Sequence, residues 1–572
     1  MGLVWATLNL HHHKDENLTR ISKFDLLIIA LVSSVVFIGL GSSSLLDYDE
    51  GIYAQVSRQI LQNDDWLTFT LGTDLWFEKP PLFIWLTAVI FKFFGLSEFS
   101  ARLIPAVSSV LVILLTYISA SVIFGRRVGL VAVIPLCTGY EFLRQARNGT
   151  TDMMLTLFIM AILTVYIAYP RKSPAYWYLV SVLFSLGFMV KFWAVLVVII
   201  AIGINQVLEK EIRATLSNKH FWGALLVALL LILPWHLIMY LTHGQVFIDR
   251  YVLYDLIRRT TGPLQGNAGS PRYYFDRMSY DYAPWFLVLP IALAIELRRM
   301  IGNWNKTGVL LLFTACIFGI YSLIVGTKIF HYLTPVYPIL SIFIANTIIT
   351  AYDRSQSTAF SGFMVTSLIA LITPSIRTIM GFLLLAGFIT LALFTMSRLA
   401  TYIRALLEVQ ARTSSTVFQW IKNVSSQLLT YSEFLFSGKG YSRLAVLLMC
   451  LFLLVAGVVR SRYLYAPIES PVEKIARVAG SSNVLHDETI LGLALPPDYA
   501  DGIMGPAAMF YSERPIHVAW SEEELFELTT SGPREVIMGE RYIDFLNDRY
   551  EFIVLAKSDP FVYGVIVQKD RP

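Results

Sequence analysis

The chain has 572 residues, 56% apolar and only 15% charged, against about 25% charged in an average soluble protein. That balance excludes an ordinary soluble enzyme and predicts a polytopic α-helical membrane protein. The net charge of +4 comes from 45 basic and 41 acidic residues with no basic stripe among them, which excludes nucleic acid as a partner.

Residues 1–23 form a polar lead-in with His11-His12-His13, Lys14, Arg20 and Lys23, expected on the cytoplasmic side. No small-residue cleavage site follows the first apolar run, so it reads as a retained anchor and not a signal peptide. A hydrocarbon core of about 30 Å needs about 20 helical residues. Runs near that length fall at 24–43, 101–124, 128–143, 150–169, 175–190, 192–208, 221–241, 284–298, 308–326, 331–350, 358–373, 377–397 and 442–459. About 13 transmembrane helices are therefore expected, in a membrane domain covering 24–461. Cys137, Cys316 and Cys450 all fall inside these runs, so neither a disulfide framework nor a zinc cluster is on offer.

Leu82–Gly95 is shorter and interrupted by Lys92, so it is expected to lie at the interface without crossing. In that case Arg126-Arg127, Arg171-Lys172, Glu209–Lys219, Arg298-Arg299 with Lys306, Arg354 and Arg398–Lys422 all join the N-terminus inside, as the positive-inside rule asks. From 462 to 572 the pattern changes to short strands and helices, which predicts a small extracytoplasmic α/β domain. Its carboxylates lack an aimed basic group, so it is expected to serve acceptor choice or stability and contribute little to chemistry.

The same topology gathers four polar stretches outside: Ser44–Glu98, Arg144–Thr151, Thr242–Tyr282 and Gly326–His331. Charges beside a bilayer are costly to desolvate, so their concentration there marks a site. In the first extracytoplasmic loop, 44–98, Asp49 and Glu50 precede a helical segment, where a helix N-terminus favours carboxylates. Lys79 stands before Pro80-Pro81, whose fixed geometry aims it instead of leaving it to wander, and a phosphate suits it. Arg144 and Arg147 lie in the turn before Asp152, and Lys328 and His331 open a third basic element. The Gly-rich run 262–269 reads either as part of a lid or as an untethered loop.

The motifs Asp49-Glu50, Glu78-Lys79-Pro80-Pro81 and Lys328-x-x-His331-Tyr332-x-x-Pro335-x-x-Pro338 resemble those of membrane glycosyltransferases of the GT-C fold that use polyprenyl-phosphate sugars. Lipid A aminoarabinose transferases and protein O-mannosyltransferases are the most similar kinds. The resemblance implies Asp49, Glu50 and Asp152 as catalytic carboxylates. It implies Lys79, Lys328, Arg147 and His331 around the donor phosphate, supported by Tyr53, Glu78, Arg144 and Tyr332. In some relatives a histidine joins the glutamate in holding a divalent metal; Glu78 has no matching histidine in Tyr254–Arg258, which leaves metal use open. Ile52 stands where aminoarabinose transferases carry arginine, which leaves open whether the acceptor is lipid, glycan or protein.

The expected activity is one-step inverting transfer in a prokaryotic inner membrane, at an extracytoplasmic site, from a polyprenyl-phosphate-linked sugar to an acceptor hydroxyl. Fixed cations would stabilise the leaving lipid phosphate and a carboxylate would take the hydroxyl proton. The alternative is a transporter or flippase of lipid-linked sugars. Such folds commonly carry repeat symmetry and midplane charges; this sequence shows no repeat, and its charges gather at one face.

Overall fold

The computed structural model describes residues 21–354 and 470–569, apart from short stretches that include 47–48, 264–268 and 494–505. The expected spans at 358–373, 377–397 and 442–459, and the start of the last domain at 462–469, lie outside the described residues.

Ion pairs at the helix ends trace the chain between two faces of a bundle. α1 (Lys23–Ser33) starts at one face, where Asp25 meets Arg126 at 2.6 Å. The chain reaches the other face by Val36–Gly39, whose carbonyls accept from the Arg147 guanidinium. α2 (Asp49–Asn63) and α3 (Leu82–Phe94) follow there. α4 (Glu98–Phe124) then runs back: Arg102 in its first turns donates to the carbonyls of Leu40, Ser43 and Ser44, and Arg126 beyond its end pairs with Asp25. Since α1 brings the chain to this face and α4 takes it away, α3 does not cross. Its 13 residues are too few to span, and Gly95 closes it with a φ of 79° that suits a residue without Cβ.

α5 (Arg126–Thr138) and α6 (Tyr140–Ala146) return to the second face, and α7 (Thr151–Ala168) leaves it. Five helical stretches among the described residues are long and apolar enough to cross a membrane: Glu98–Phe124, Thr151–Ala168, Pro174–Leu208, Lys219–His243 and Phe330–Asp353. Pro174–Leu208 is not one straight pass. A continuous helix of that length would extend about 52 Å, yet Arg171 just before it pairs with Glu209 just after it at 2.9 Å. It is a hairpin of α8 (Pro174–Lys191) and α9 (Leu196–Leu208), joined by a 3-10 turn in which Phe192 has φ 41°. Separate helices over 175–190 and 192–208, as read from the sequence, match this fold.

α10 (Lys219–His243) runs beside α8 and ends against the first loop, where the His243 ring meets Phe77 at a tilt with centroids 5.1 Å apart. After a π-helical segment (Ile248–Arg258) come α11 (Tyr273–Asp281), α12 (Leu289–Gly302), α13 (Gly308–Gly319) and α14 (Tyr337–Arg354).

The C-terminal part folds as α15 (Pro471–Ser482), β1 (Ile490–Leu493), α16 (Pro506–Ser512), β2 (Ile516–Ala519), α17 (Glu522–Thr529), β3 (Arg534–Gly539), α18 (Arg541–Leu546), β4 (Tyr550–Ser558) and β5 (Phe561–Gln568). The sheet order is β2-β1-β3-β5-β4, with β1 parallel to β2 and β3 and the last three strands antiparallel. It packs directly on the first loop and the start of α4: Leu45, Ala54, Phe91 and Ala101 share one apolar core with Ile475, Phe510, Tyr511 and Tyr563.

Candidate active site

All four polar stretches meet at one face. Gly149 N–H donates to Glu50 at 2.7 Å, joining the first loop to the second. Thr260 O accepts from Gly326 N–H at 2.7 Å, and Gly262 O from the Thr327 hydroxyl at 2.9 Å, joining the third to the fourth. The long loop is therefore tethered at Gly262, where a Cβ on Gly326 would meet the Gly262 backbone at 2.7 Å.

At the centre stands Asp152, buried in the first turn of α7. Lys191 donates to its Oδ1 at 2.7 Å, and His331 Nε2 lies 3.8 Å from Oδ2. Lys79 acts on Asp152 electrostatically, and Asp49 and Arg144 act on His331 in the same way. The Lys191 ammonium also faces the Tyr332 ring, 5.3 Å from its centroid. Lys191 was missed in the sequence although a readable signal marks it. It is the one charge between Pro174 and Leu208, and an ionisable residue inside a membrane segment is a functional candidate by default. It ends α8 at the positive-φ break, a strained geometry that persists only where its surroundings enforce it.

The adjacent carboxylates Asp49 and Glu50 have opposite surroundings. Glu50 is buried in a bidentate pair with Arg102, Nε to Oε1 at 2.7 Å and Nη2 to Oε2 at 2.9 Å. Leu46 N–H at 2.8 Å and Gly149 N–H at 2.7 Å complete its shell. Each oxygen thus accepts two hydrogen bonds, and Glu50 ties α2 to α4 and the second turn. Asp49 is half-buried, and among the described residues it has no hydrogen-bond or ion-pair partner.

Lys79 is buried, with its amine donating to Glu78 O at 2.9 Å. Tyr53 packs edge-on against Trp76 and Phe83, ring centroids 6.0 and 5.7 Å away, and so supports the loop from its core. Three other expected phosphate or supporting residues are engaged elsewhere. Arg147 binds the carbonyls ending the first pass at 2.6 to 3.0 Å. Lys328 donates to Tyr321 O at 2.6 Å and to Val325 O, capping the carbonyls that end a π-turn, and burial lowers its pKa below the ordinary lysine value. Arg144 forms a fork with Glu141, both bonds 2.9 Å, and covers the Phe330 ring at 4.1 Å. Their spacing resembles a phosphate cradle, but long basic side chains can reach backbone carbonyls from the same positions.

Among the described residues no three His, Cys, Asp or Glu side chains converge to hold a metal, Glu78 included. Around Asp152 the side chains offer two carboxylates, Asp49 and Asp152, the buried Lys79, the partly buried Lys191, and His331.

Residues 78–238 match the family model described as dolichyl-phosphate-mannose-protein mannosyltransferase, a segment that holds Lys79, Asp152 and Lys191. A solved structure, ArnT from Cupriavidus metallidurans bound to undecaprenyl phosphate, superposes with a TM-score of 0.64 over 96% of this chain and 98% of that one, at 17% identity. The fold is the GT-C fold. The archaeal oligosaccharyltransferase AglB from Archaeoglobus fulgidus shares it at a TM-score of 0.50, with 12% identity over 93% of this chain and 69% of that one. In sequence, an undecaprenyl phosphate-alpha-4-amino-4-deoxy-L-arabinose arabinosyl transferase of Pseudomonas fluorescens is 26% identical over 55% of this chain. An uncharacterised protein of Aquifex aeolicus is likewise 26% identical, over 56%. The matched parts cover 58% and 63% of those two relatives.

Proposed function

We propose that this protein is an extracytoplasmic, inverting glycosyltransferase that moves a sugar from a polyprenyl-phosphate donor to an acceptor hydroxyl. The observation that carries the reading is the convergence at one face of an unengaged carboxylate, Asp49, with the Asp152–Lys191–His331 cluster and Lys79. The acceptor oxygen attacks the anomeric carbon as the bond to the phosphate oxygen breaks. Its proton passes to Asp49, and the lipid phosphate leaves as an anion whose growing charge Lys79 and Lys191 stabilise in a partly dry site. Asp152 orients Lys191, and Glu50 with Arg102 holds the turn that carries Asp49. The names of the relatives and the polyprenyl phosphate in the ArnT structure support such a donor.

Purified protein given a radiolabelled polyprenyl-phosphate sugar should release lipid phosphate only when acceptor is present. A flippase would move the label across a bilayer without breaking the bond, and that result would sink the transferase reading. Sidedness has its own test. A cysteine at Ser482 should label from outside in intact cells and one at Lys172 only after permeabilisation, because Lys172 sits beside the Arg171–Glu209 pair at the far end of the bundle. Labelling of both from one side would overturn the topology.

Lys79→Met and Lys191→Met should each weaken donor binding and slow transfer, and their losses should be non-additive, since both cations act on the same charges. A neutral lipid analogue without phosphate should bind wild type and both variants alike. If the variants lose the analogue by the same factor, the lysines are structural.

A further inference from the structure

α16 of the C-terminal domain lies along α2 and grips it at both ends. At one end the Tyr511 hydroxyl accepts the Leu45 N–H at 2.7 Å. At the other, Arg58 of α2 donates to Met509 O at 3.3 Å and Phe510 O at 2.9 Å, the carbonyls ending α16, where a cation is favoured. A second set of contacts braces the same segment. The Ser44 hydroxyl donates to Glu473 and accepts from Ser470 N–H at 2.7 Å. Arg477 ties Glu473 at 2.9 Å to Glu98 at 3.7 Å and covers the Tyr511 ring at 4.9 Å.

The next residues build the turn that holds Asp49. Leu46 O accepts from Gly51 N–H at 3.0 Å and Leu46 N–H donates to Glu50 at 2.8 Å, so a shift at Leu45 passes to the first turn of α2. Leu45 is buried, and a buried N–H is rarely left without an acceptor. Removing the Tyr511 hydroxyl would therefore move the segment instead of leaving it in place.

We propose that Tyr511 is a positioning residue for Asp49, so that the C-terminal domain is a working part of the active site. This rests on the transferase reading, in which Asp49 is the base. It departs from the sequence expectation of a domain with little part in chemistry, because the link is made of backbone and hydroxyl groups and no aimed charge announces it.

The test uses the full chain with Tyr511→Phe, which deletes one hydroxyl and keeps the ring. The expected result is a kcat for acceptor-dependent lipid-phosphate release lower by about tenfold or more, as for a catalytic group displaced by a fraction of an ångström. The KM for the lipid donor and the melting temperature should be unchanged. A wild-type kcat, or a joint loss of kcat, donor KM and melting temperature, would overturn the proposal. Should Tyr511→Phe fail to fold, Glu473→Gln must show the same kcat-only loss, and a wild-type rate there would overturn it equally. Failure of the transferase reading is distinct: the wild-type protein would then turn over no polyprenyl-phosphate sugar at all.

Discussion

Asp49→Asn should abolish most transfer, by 10²- to 10⁴-fold in kcat, the usual range for loss of a general base, while donor binding stays near wild type. The substitution keeps the shape and removes the basic oxygen. Asp49 is suited to the role by what it lacks: among the described residues no hydrogen bond or ion pair occupies it, while Glu50 beside it and Asp152 opposite it are both held by cations. Single-turnover rates with a fixed acceptor, beside an equilibrium measure of donor binding, decide the matter. Full turnover by Asp49→Asn with a dead Asp152→Asn would move the base to Asp152 and leave Lys191 as its activating partner.

Much of this arrangement was legible in the sequence, for a physical reason. Charges in a mostly apolar chain can settle only at the membrane faces or in a site, so the order of polar stretches already indicates which loops meet. Gly149, Gly262 and Gly326 supply the close backbone approaches that join them. The non-crossing α3 was legible from its length and Lys92. What could not be read was the partner of each charge. Arg147 and Lys328 look like phosphate ligands, but Arg147 donates to carbonyls 108 to 111 residues earlier and Lys328 to the nearby carbonyls of Tyr321 and Val325. Lys191 stands between two apolar runs, where a lone charge reads as the boundary of a span. The docking of α16 on α2 has no sequence signal, since it depends on the register of a helix whose contacts with Arg58 lie 451 and 452 residues away.

Arg102→Met should be the most damaging of the structural substitutions, costing about 3–5 kcal/mol of stability, as when one partner of a buried pair is removed. Glu50 would be left ionised and buried with only the N–H groups of Leu46 and Gly149 for company. The carbonyls of Leu40, Ser43 and Ser44 would lose their donor at the same time. Glu50→Gln is the informative partner. It keeps the volume and one acceptor oxygen but gives up the charge facing Arg102, so it should lower the melting temperature while the molecules still folded retain appreciable transfer. Thermal unfolding in detergent, with activity normalised to folded protein, separates the two carboxylates. If Glu50→Gln were as stable as wild type and wholly inactive, Glu50 would be the base after all and its four hydrogen-bond donors would be a means of tuning it. The fully occupied shell argues against that outcome, because a carboxylate must lose one of those donors before it can accept a proton from an acceptor hydroxyl.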